Sequence, residues 1–160
     1  MSSIETATFA AGCFWGVESE FAQTPGVLNT AVGYCGGQKE NPTYKEVCSG
    51  TTGHAEVCQV EFDSSRTSFE NLLEKFFSLH NPTTINRQGP DVGTQYRSAI
   101  FFHNDDQKQA AEKMIATLTE ARRFSSPIVT QVVPFEKFWR AEEYHQKYFE
   151  KNGGGHCNLY

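Results

Sequence analysis

Strand-like and helix-like hydrophobic patterns follow one another along this chain in an order that few folds can accommodate. The firmest helical signal lies at residues 67–80, where Thr67 and Glu70 have the spacing of a capping box. The apolar residues after them keep helical spacing, as Phe69, Leu72, Leu73, Phe76 and Phe77. Phe14, Val17 and Phe21 indicate an earlier helix, over residues 13–23, that ends before Pro25-Gly26.

Extended sequences flank these two helices. Strands are predicted at Ile4–Ala10, Val27–Tyr34, Ala55–Asp63 and Ser98–His103. The resulting order of strand, helix, strand, strand, helix, strand is that of a split βαβ (ferredoxin-like) core. We therefore expect an α/β (α+β) two-layer sandwich, in which a mixed sheet carries helices on one face. A doubly wound α/β fold is the alternative, disfavoured because no helix is evident between the second and third strands.

The rest of the chain adds to this core. Asn104 is predicted to cap a helix with an apolar face, a fifth strand is expected at Ile128–Val133, and a last short helix at Ala141–Glu150. The sequence Asn81–Arg97 has no periodicity, and a loop of this length in a small domain is usually functional. With 160 residues, the chain is expected to form a single domain over 1–160, ending in a coil-rich, flexible glycine-rich tail at about 152–160.

Composition excludes several classes of partner. The formal net charge is -5, which is the wrong sign for a surface that binds nucleic acid. The chain contains no run of 18 apolar residues, the length that could span a membrane. The first five residues have neither the basic nor the apolar part of a signal peptide. A cytoplasmic location is therefore expected, with a monomer as the default state.

The five cysteines, at positions 13, 35, 48, 58 and 157, contain no C-x-x-C pair. This spacing argues against a zinc ribbon or a thioredoxin-type redox pair, and we expect neither a metal nor a cofactor. Cys48 and Cys58 are predicted to be buried packing residues. For Cys35, between Tyr34 and Gly36-Gly37, both a buried and an exposed position stay open.

Cys13 lies in the most informative segment, Gly12-Cys13-Phe14-Trp15-Gly16, at the predicted junction of a strand and a helix. Free N–H groups and the helix dipole stabilise an anion there, and such thiols have pKa values lowered from ~8.5 to ~3.5–7.5. Glycine on each side leaves room for a substrate, and two aromatic rings supply an apolar wall. The alternative is a buried cysteine beside two core aromatics.

Glu56 is the best candidate for an acid. Apolar neighbours in the strand would partly desolvate it, which raises a carboxyl pKa toward neutrality and suits a proton donor. An ordinary surface glutamate is the competing interpretation. In the polar loop, Asp91 and Tyr96 can face a polar substrate atom while Arg97 anchors the loop; Tyr44 is either a site phenol or a lid over the core.

Six sequence blocks, in order, resemble those of the A-class peptide methionine sulfoxide reductases and cover nearly the whole chain. They are Gly12–Gly16, Gly33–Gly37, Asn41–Tyr44, Gly50–Glu56, Asn86–Ser98 and Gly153–Cys157. The resemblance implies reduction of methionine-S-sulfoxide, free or in proteins, and hence repair of oxidised proteins.

The resemblance also implies roles for individual residues. Cys13 matches the nucleophile and Glu56 the acid that protonates the sulfoxide oxygen. Phe14 and Trp15 match the pocket for the S-methyl group, whereas Tyr44, Asp91 and Tyr96 match the groups that hold the oxygen. Cys157 matches a resolving cysteine, with Cys35 as second candidate. A disulfide formed in this way would be reduced by thioredoxin or a similar dithiol.

Two other classes compete with this hypothesis. A cysteine hydrolase or acyl transferase would pair Cys13 with a histidine base, for which His54 is the nearest candidate. A metal-binding or redox module would use thiol and imidazole ligands, although their spacings match no zinc pattern.

Overall fold

The computed structural model describes residues 3–152 and contains a six-stranded mixed sheet with strand order β7-β6-β1-β3-β2-β8. The strands are β1 (Ile4–Ala11), β2 (Val27–Cys35), β3 (Ala55–Asp63), β6 (Ser98–Phe102), β7 (Gln131–Pro134) and β8 (Trp139–Arg140). All pairs are antiparallel except β6 with β7. A separate two-stranded hairpin is formed by β4 (Arg87–Gln88) and β5 (Asp91–Val92).

The helices are α1 (Phe14–Ala22), α2 (Tyr44–Cys48), α3 (Phe69–Leu79), α4 (Asp105–Glu120) and α5 (Tyr148–Lys151). Short 3-10 turns occupy Thr94–Tyr96 and Glu143–His145. The four central strands, in order β6-β1-β3-β2, have the arrangement of the predicted split βαβ core, so the predicted fold class is confirmed. These four strands are antiparallel to their neighbours, whereas a doubly wound fold has a mostly parallel sheet, so that alternative is excluded.

The main core lies between one face of the sheet and helices α1, α3 and α4. Phe9 is at its centre, fully buried, with its ring stacked against Phe21, Phe69 and Phe76 at centroid distances of 5.0, 5.9 and 5.2 Å. The opposite face of the sheet is covered by the extended chain around Phe135 and Phe138 rather than by helices. The expectation of helices on one face therefore agrees with the packing.

Several local predictions differ from the structure. The helix after Thr67 is capped by Ser68, whose hydroxyl accepts from Asn71 N–H, so the predicted capping box is wrong. A capping box does form at Thr43 and Glu46, where it starts the unpredicted helix α2. The helix predicted over residues 141–150 is broken into a 3-10 turn and α5, separated by Gln146 and Lys147.

Other elements agree within a few residues. Asn104 caps α4 by accepting from Gln107 N–H, as predicted. Within residues 3–152, no helix combines the length and the apolar composition that crossing a membrane would require.

The stability of the core is expected to depend strongly on Phe9. Phe9→Ala should reduce the free energy of unfolding by about 3–5 kcal/mol, because the ring leaves a cavity among three aromatic neighbours. Urea unfolding followed by circular dichroism measures this loss. Ile4→Ala, at a position that is 65% exposed on the same strand, is the control and should cost less than about 0.5 kcal/mol. A loss below about 1 kcal/mol for Phe9→Ala would contradict the assignment of this ring to the core.

Candidate active site

Cys13 lies where β1 turns into α1. Gly12 has a left-handed φ of +95°, and a Cβ atom there would approach the side chain of Gln88 to 2.8 Å, so two constraints favour glycine. Cys13 occupies the N-cap position of α1 and is partly exposed. Its sulfur is therefore placed at the helix N-terminus, where unpaired N–H groups and the helix dipole favour an anion.

Glu56 lies beside the same helix terminus. It is only 1% exposed, on the face of β3 that is covered by the helices, and its Oε1 accepts a hydrogen bond from Phe14 N–H at 3.2 Å. The competing prediction of a surface glutamate is thus wrong. A buried carboxyl group adjacent to a half-buried thiol provides a proton donor and a nucleophile in one place.

Two tyrosines contribute hydroxyl groups near Glu56. Burial raises the pKa values of Tyr44 and Tyr96 well above 10, and the negative charge of Glu56 raises them further. The charges of Cys48, Asp91 and Cys13 also raise the pKa of Tyr96. Both phenols therefore remain protonated at neutral pH and can donate hydrogen bonds to a substrate oxygen.

The loop at residues 81–97 is ordered around the hairpin of β4 and β5 rather than structureless. Buried Gln88 bonds to the backbone of Asn81 on one side and packs under Gly12 on the other. Asp91, opposite Gln88 in the hairpin, has its pKa raised by burial. The loop is thus attached directly to the turn that carries Cys13.

Phe14 and Trp15 form part of an aromatic cluster. Trp15 stacks on Tyr148 with a centroid distance of 3.9 Å, and its Nε1–H donates to Nδ1 of His145 at 2.9 Å. The His145 ring also lies 4.3 Å from that of Tyr44 and 5.2 Å from that of Phe14. These rings make one continuous apolar wall next to Cys13.

Three residues of this site were not predicted from the sequence. His145 is buried, and burial lowers its pKa, so the neutral ring can accept from Trp15. Glu142 accepts hydrogen bonds from the Tyr34 hydroxyl and from Tyr44 N–H, which ties α2 to the segment that carries His145. In the segment predicted as the last helix, Tyr144 is 59% exposed and His145 lies in the site.

Cys48 is the third residue. Its predicted role as a buried packing residue is wrong: it is exposed at the end of α2, and the hydroxyl groups of Tyr44 and Tyr96 act to lower its pKa. Partial burial of the thiol nevertheless raises its pKa. The capping box at Thr43 and Glu46 was the sequence signal that could have placed Cys48 at a helix end beside Tyr44.

The other thiols lie elsewhere. Cys58 is fully buried, as predicted. Cys35, for which exposure was left open, is buried: it is 1% exposed and packs with Phe101 and Val57 on the face of the sheet opposite to Glu56. Burial raises the pKa of Cys35 to about 12. Cys157 lies outside the described residues.

Among residues 3–152, the groups that the two alternative functions would use are not available. Both ring nitrogens of His54 bond to the backbone of the β2–α2 loop, Nδ1 with Gly37 N–H at 3.0 Å and Nε2 with Lys39 O at 2.7 Å. His54 is therefore engaged in holding that loop rather than available as a base for Cys13. Within residues 3–152, no group of three His, Cys, Asp or Glu side chains could hold a metal ion.

Comparisons with known proteins place the chain in a family. The family model described as peptide methionine sulfoxide reductase matches residues 5–160. The MsrA of Geobacter sulfurreducens is 56% identical over 156 residues, which cover 98% of this chain and 96% of that protein.

Solved structures give the same result. Reduced Mxr1 from Saccharomyces cerevisiae superposes with a TM-score of 0.90 at 36% identity, covering 97% of this chain and 89% of that chain. Methionine sulfoxide reductase A of Corynebacterium diphtheriae gives a TM-score of 0.86 at 38% identity, covering 96% and 77%. Mxr1 has also been solved in complex with Trx2, and that chain shares the fold with a TM-score of 0.66 at 23% identity.

The match extends over nearly the whole chain and includes the junction of β1 and α1, β3 and the polar loop. The family suggested by the six sequence blocks is thereby confirmed: this chain belongs to the peptide methionine sulfoxide reductases and is an oxidoreductase of the MsrA type.

Proposed function

We propose that this enzyme reduces the S epimer of methionine sulfoxide through a sulfenic acid on Cys13, with Glu56 as the proton donor. The observation that carries the proposal is the hydrogen bond from Phe14 N–H to Glu56, which holds a buried carboxyl group next to the helix terminus occupied by Cys13. A sulfoxide sulfur becomes electrophilic when its oxygen is protonated or strongly hydrogen-bonded. The reaction therefore requires a thiolate and an acid in one pocket.

The chemical step transfers oxygen from the substrate to the enzyme. The Cys13 thiolate attacks the sulfoxide sulfur while the oxygen takes a proton from Glu56, which gives a transient S–S bond. The hydroxyl group then moves to the Cys13 sulfur, so that a new S–O bond forms as the S–S bond and the substrate S–O bond break, and the electron pair of the S–S bond stays on the substrate sulfur. The substrate sulfur is reduced to the thioether of methionine, and Cys13 is oxidised to a sulfenic acid. Tyr44 and Tyr96, which burial keeps protonated, donate to the same oxygen, with Asp91 beside Tyr96.

The aromatic wall accounts for substrate orientation. Phe14 and Trp15 take the S-methyl group, whereas the oxygen faces Glu56 and the two tyrosine hydroxyl groups. The sulfur of methionine sulfoxide is chiral. When the pocket fixes both the methyl group and the oxygen, only one epimer can present its sulfur to Cys13. We assign the S epimer because the matched relatives are reductases of the MsrA type.

Recycling requires a second thiol. The thiol of Cys157 condenses with the sulfenic acid to give a disulfide and water, and a dithiol of the thioredoxin class then reduces that disulfide by exchange. The complex of Mxr1 with Trx2 supports this choice of reductant. Cys35 is the weaker candidate, because its thiol is buried on the opposite face of the sheet.

Epimer selectivity tests the substrate and the nucleophile together. The wild-type enzyme should release methionine from methionine-S-sulfoxide and not from the R epimer, because a single pocket fixes both the methyl group and the oxygen. Cys13→Ser should abolish the reaction. Amino-acid analysis by chiral chromatography follows both epimers, and equal turnover of the two would refute the proposed pocket.

Glu56→Gln tests the acid. The variant should lower the rate of sulfoxide reduction by ~10²–10⁴-fold, since the amide accepts the same hydrogen bond but cannot donate a proton as a carboxylic acid does. Single-turnover release of methionine measures the rate, and titration of Cys13 with iodoacetamide checks that the thiol stays reactive. Glu61→Gln, at an exposed position on the same strand, is the matched control. A loss below tenfold would transfer the acid role to a tyrosine, to Asp91 or to water.

Recycling should separate genetically from reduction. Cys157→Ser should still release one methionine per enzyme and accumulate sulfenic acid on Cys13, but it should fail with thioredoxin because no disulfide forms. Cys35→Ser should at most slow the cycle. Thioredoxin-linked NADPH oxidation gives the turnover, and peptide mass mapping identifies the thiol that pairs with Cys13.

Two results would overturn this assignment. Full turnover of the Cys157 variant together with failure of the Cys35 variant would make Cys35 the resolving cysteine. A mapped disulfide between Cys13 and Cys48 in the wild-type enzyme would assign that role to the thiol at the end of α2.

A further inference from the structure

An irregular segment, residues 145–148, supplies two of the three rings around Trp15. His145 accepts the indole N–H, and Tyr148 stacks on the indole face. Between them, Lys147 has a left-handed backbone, with φ 52° and ψ 44°. Such a conformation is unfavourable for a residue with a Cβ atom, so other contacts must hold the segment in place.

Buried Glu18 provides one of these contacts. It lies on α1 three residues after Trp15 and is only 2% exposed. Its Oε1 accepts from Lys147 N–H at 2.7 Å, and its Oε2 accepts from the Thr30 hydroxyl at 2.7 Å. The carboxylate therefore joins α1, β2 and the left-handed residue.

The Lys147 side chain completes this arrangement. Its Nζ lies 3.9 Å from Glu18 Oε2 and donates to the Thr30 carbonyl at 2.9 Å. A carboxylate taken out of water is stable only when paired and hydrogen-bonded, and Glu18 meets this condition with three partners from two other elements.

Gln146 fixes the same segment from the other side. Its amide donates to the carbonyls of Val32 and Ala141, and its Oε1 accepts from Val32 N–H, each at 2.8–2.9 Å. This side chain thus occupies the hydrogen-bonding positions that a neighbouring strand would use on β2. Residues 145–148 are consequently held between β2 and α1 through two buried side chains.

We infer that Glu18 is a positioning residue for the substrate pocket: by holding Lys147, it fixes His145 and Tyr148 against Trp15 and thereby sets the position of the indole ring. The inference rests on the proposed role of Trp15 in binding the S-methyl group. Glu18 itself touches neither substrate nor the reacting sulfur. Its loss should weaken substrate binding much more than it slows oxygen transfer.

The test compares two substitutions with a conservative one. Glu18→Ala and Glu18→Leu each remove the acceptor for Lys147 N–H, and the apolar leucine keeps the buried volume filled if the alanine variant folds poorly. Each should raise KM for a methionine-S-sulfoxide peptide by about tenfold while changing the single-turnover rate at saturation by less than about threefold. Glu18→Gln, which retains an acceptor oxygen, should restore KM to within about threefold of wild type.

Glu20→Ala is the matched control. Glu20 is a second carboxylate on α1, paired at the surface with Lys75 at 2.8 Å and remote from residues 145–148. The KM of the Glu20→Ala variant for the same peptide should equal that of the wild-type enzyme. An equal rise in KM for Glu20→Ala would overturn the inference, because the effect would then belong to α1 as a whole.

Hydrogen exchange of the indole N–H separates positioning from a loss of overall stability. Trp15 and Trp139 are the two tryptophans, and Trp15→Phe assigns their resonances. Exchange at Trp15 should accelerate in Glu18→Ala and Glu18→Leu, whereas the amides of the central strands β1 and β3 should keep their protection. Unchanged Trp15 exchange, or KM within twofold of wild type in a folded variant, would overturn the inference.

Trp15→Ala distinguishes failure of this inference from failure of the proposed pocket. An unchanged KM in Trp15→Ala would refute the role of Trp15 in substrate binding. The indole exchange in the Glu18 variants would still show whether Glu18 positions the ring.

Discussion

The hydrogen bond between Phe14 N–H and the Glu56 carboxyl joins the two halves of the site. Phe14 is the first residue of α1 and Glu56 is near the start of β3, so 42 residues of sequence separate two groups that the fold places 3.2 Å apart. The antiparallel pairing of β1 with β3 is what brings them together, since it runs the end of one strand past the beginning of the other. The core around Phe9 stabilises this pairing, and in that sense the active site depends on the hydrophobic packing beneath it.

Local patterning was sufficient to predict the order of the main elements, because strands and long amphipathic helices have different hydrophobic periods. The break at Gln146 and Lys147 could not be read in this way. It depends on the Gln146 amide bonding to Val32 and on Lys147 N–H bonding to Glu18, contacts that span more than 100 residues. Tertiary hydrogen bonds of this kind override the helical tendency of a short segment.

The site was predicted unevenly for similar reasons. Cys13 stood out because its neighbours indicate a helix N-terminus, and the buried environment of Glu56 followed from apolar residues on its own strand. His145 carried no comparable signal, since its function as an acceptor depends on Trp15, 130 residues away. The burial of Cys48 was predicted wrongly, and the exposure of Cys35 was left open. The face to which the Cys35 side chain points, at the end of β2, depends on strand register rather than on composition. The position of Cys48 depends on α2, a helix that was not predicted.

The two edges of the sheet offer very little backbone to another chain. β8 has two residues, β7 ends in Pro134, and beyond β8 the Gln146 side chain covers the main-chain groups of Val32. Enzymes of this family meet peptide segments as substrates, and an extended peptide can add to any long unpaired strand by main-chain hydrogen bonding. Short, capped edges leave such a peptide few main-chain groups to pair with, which disfavours strand addition and edge-to-edge aggregation.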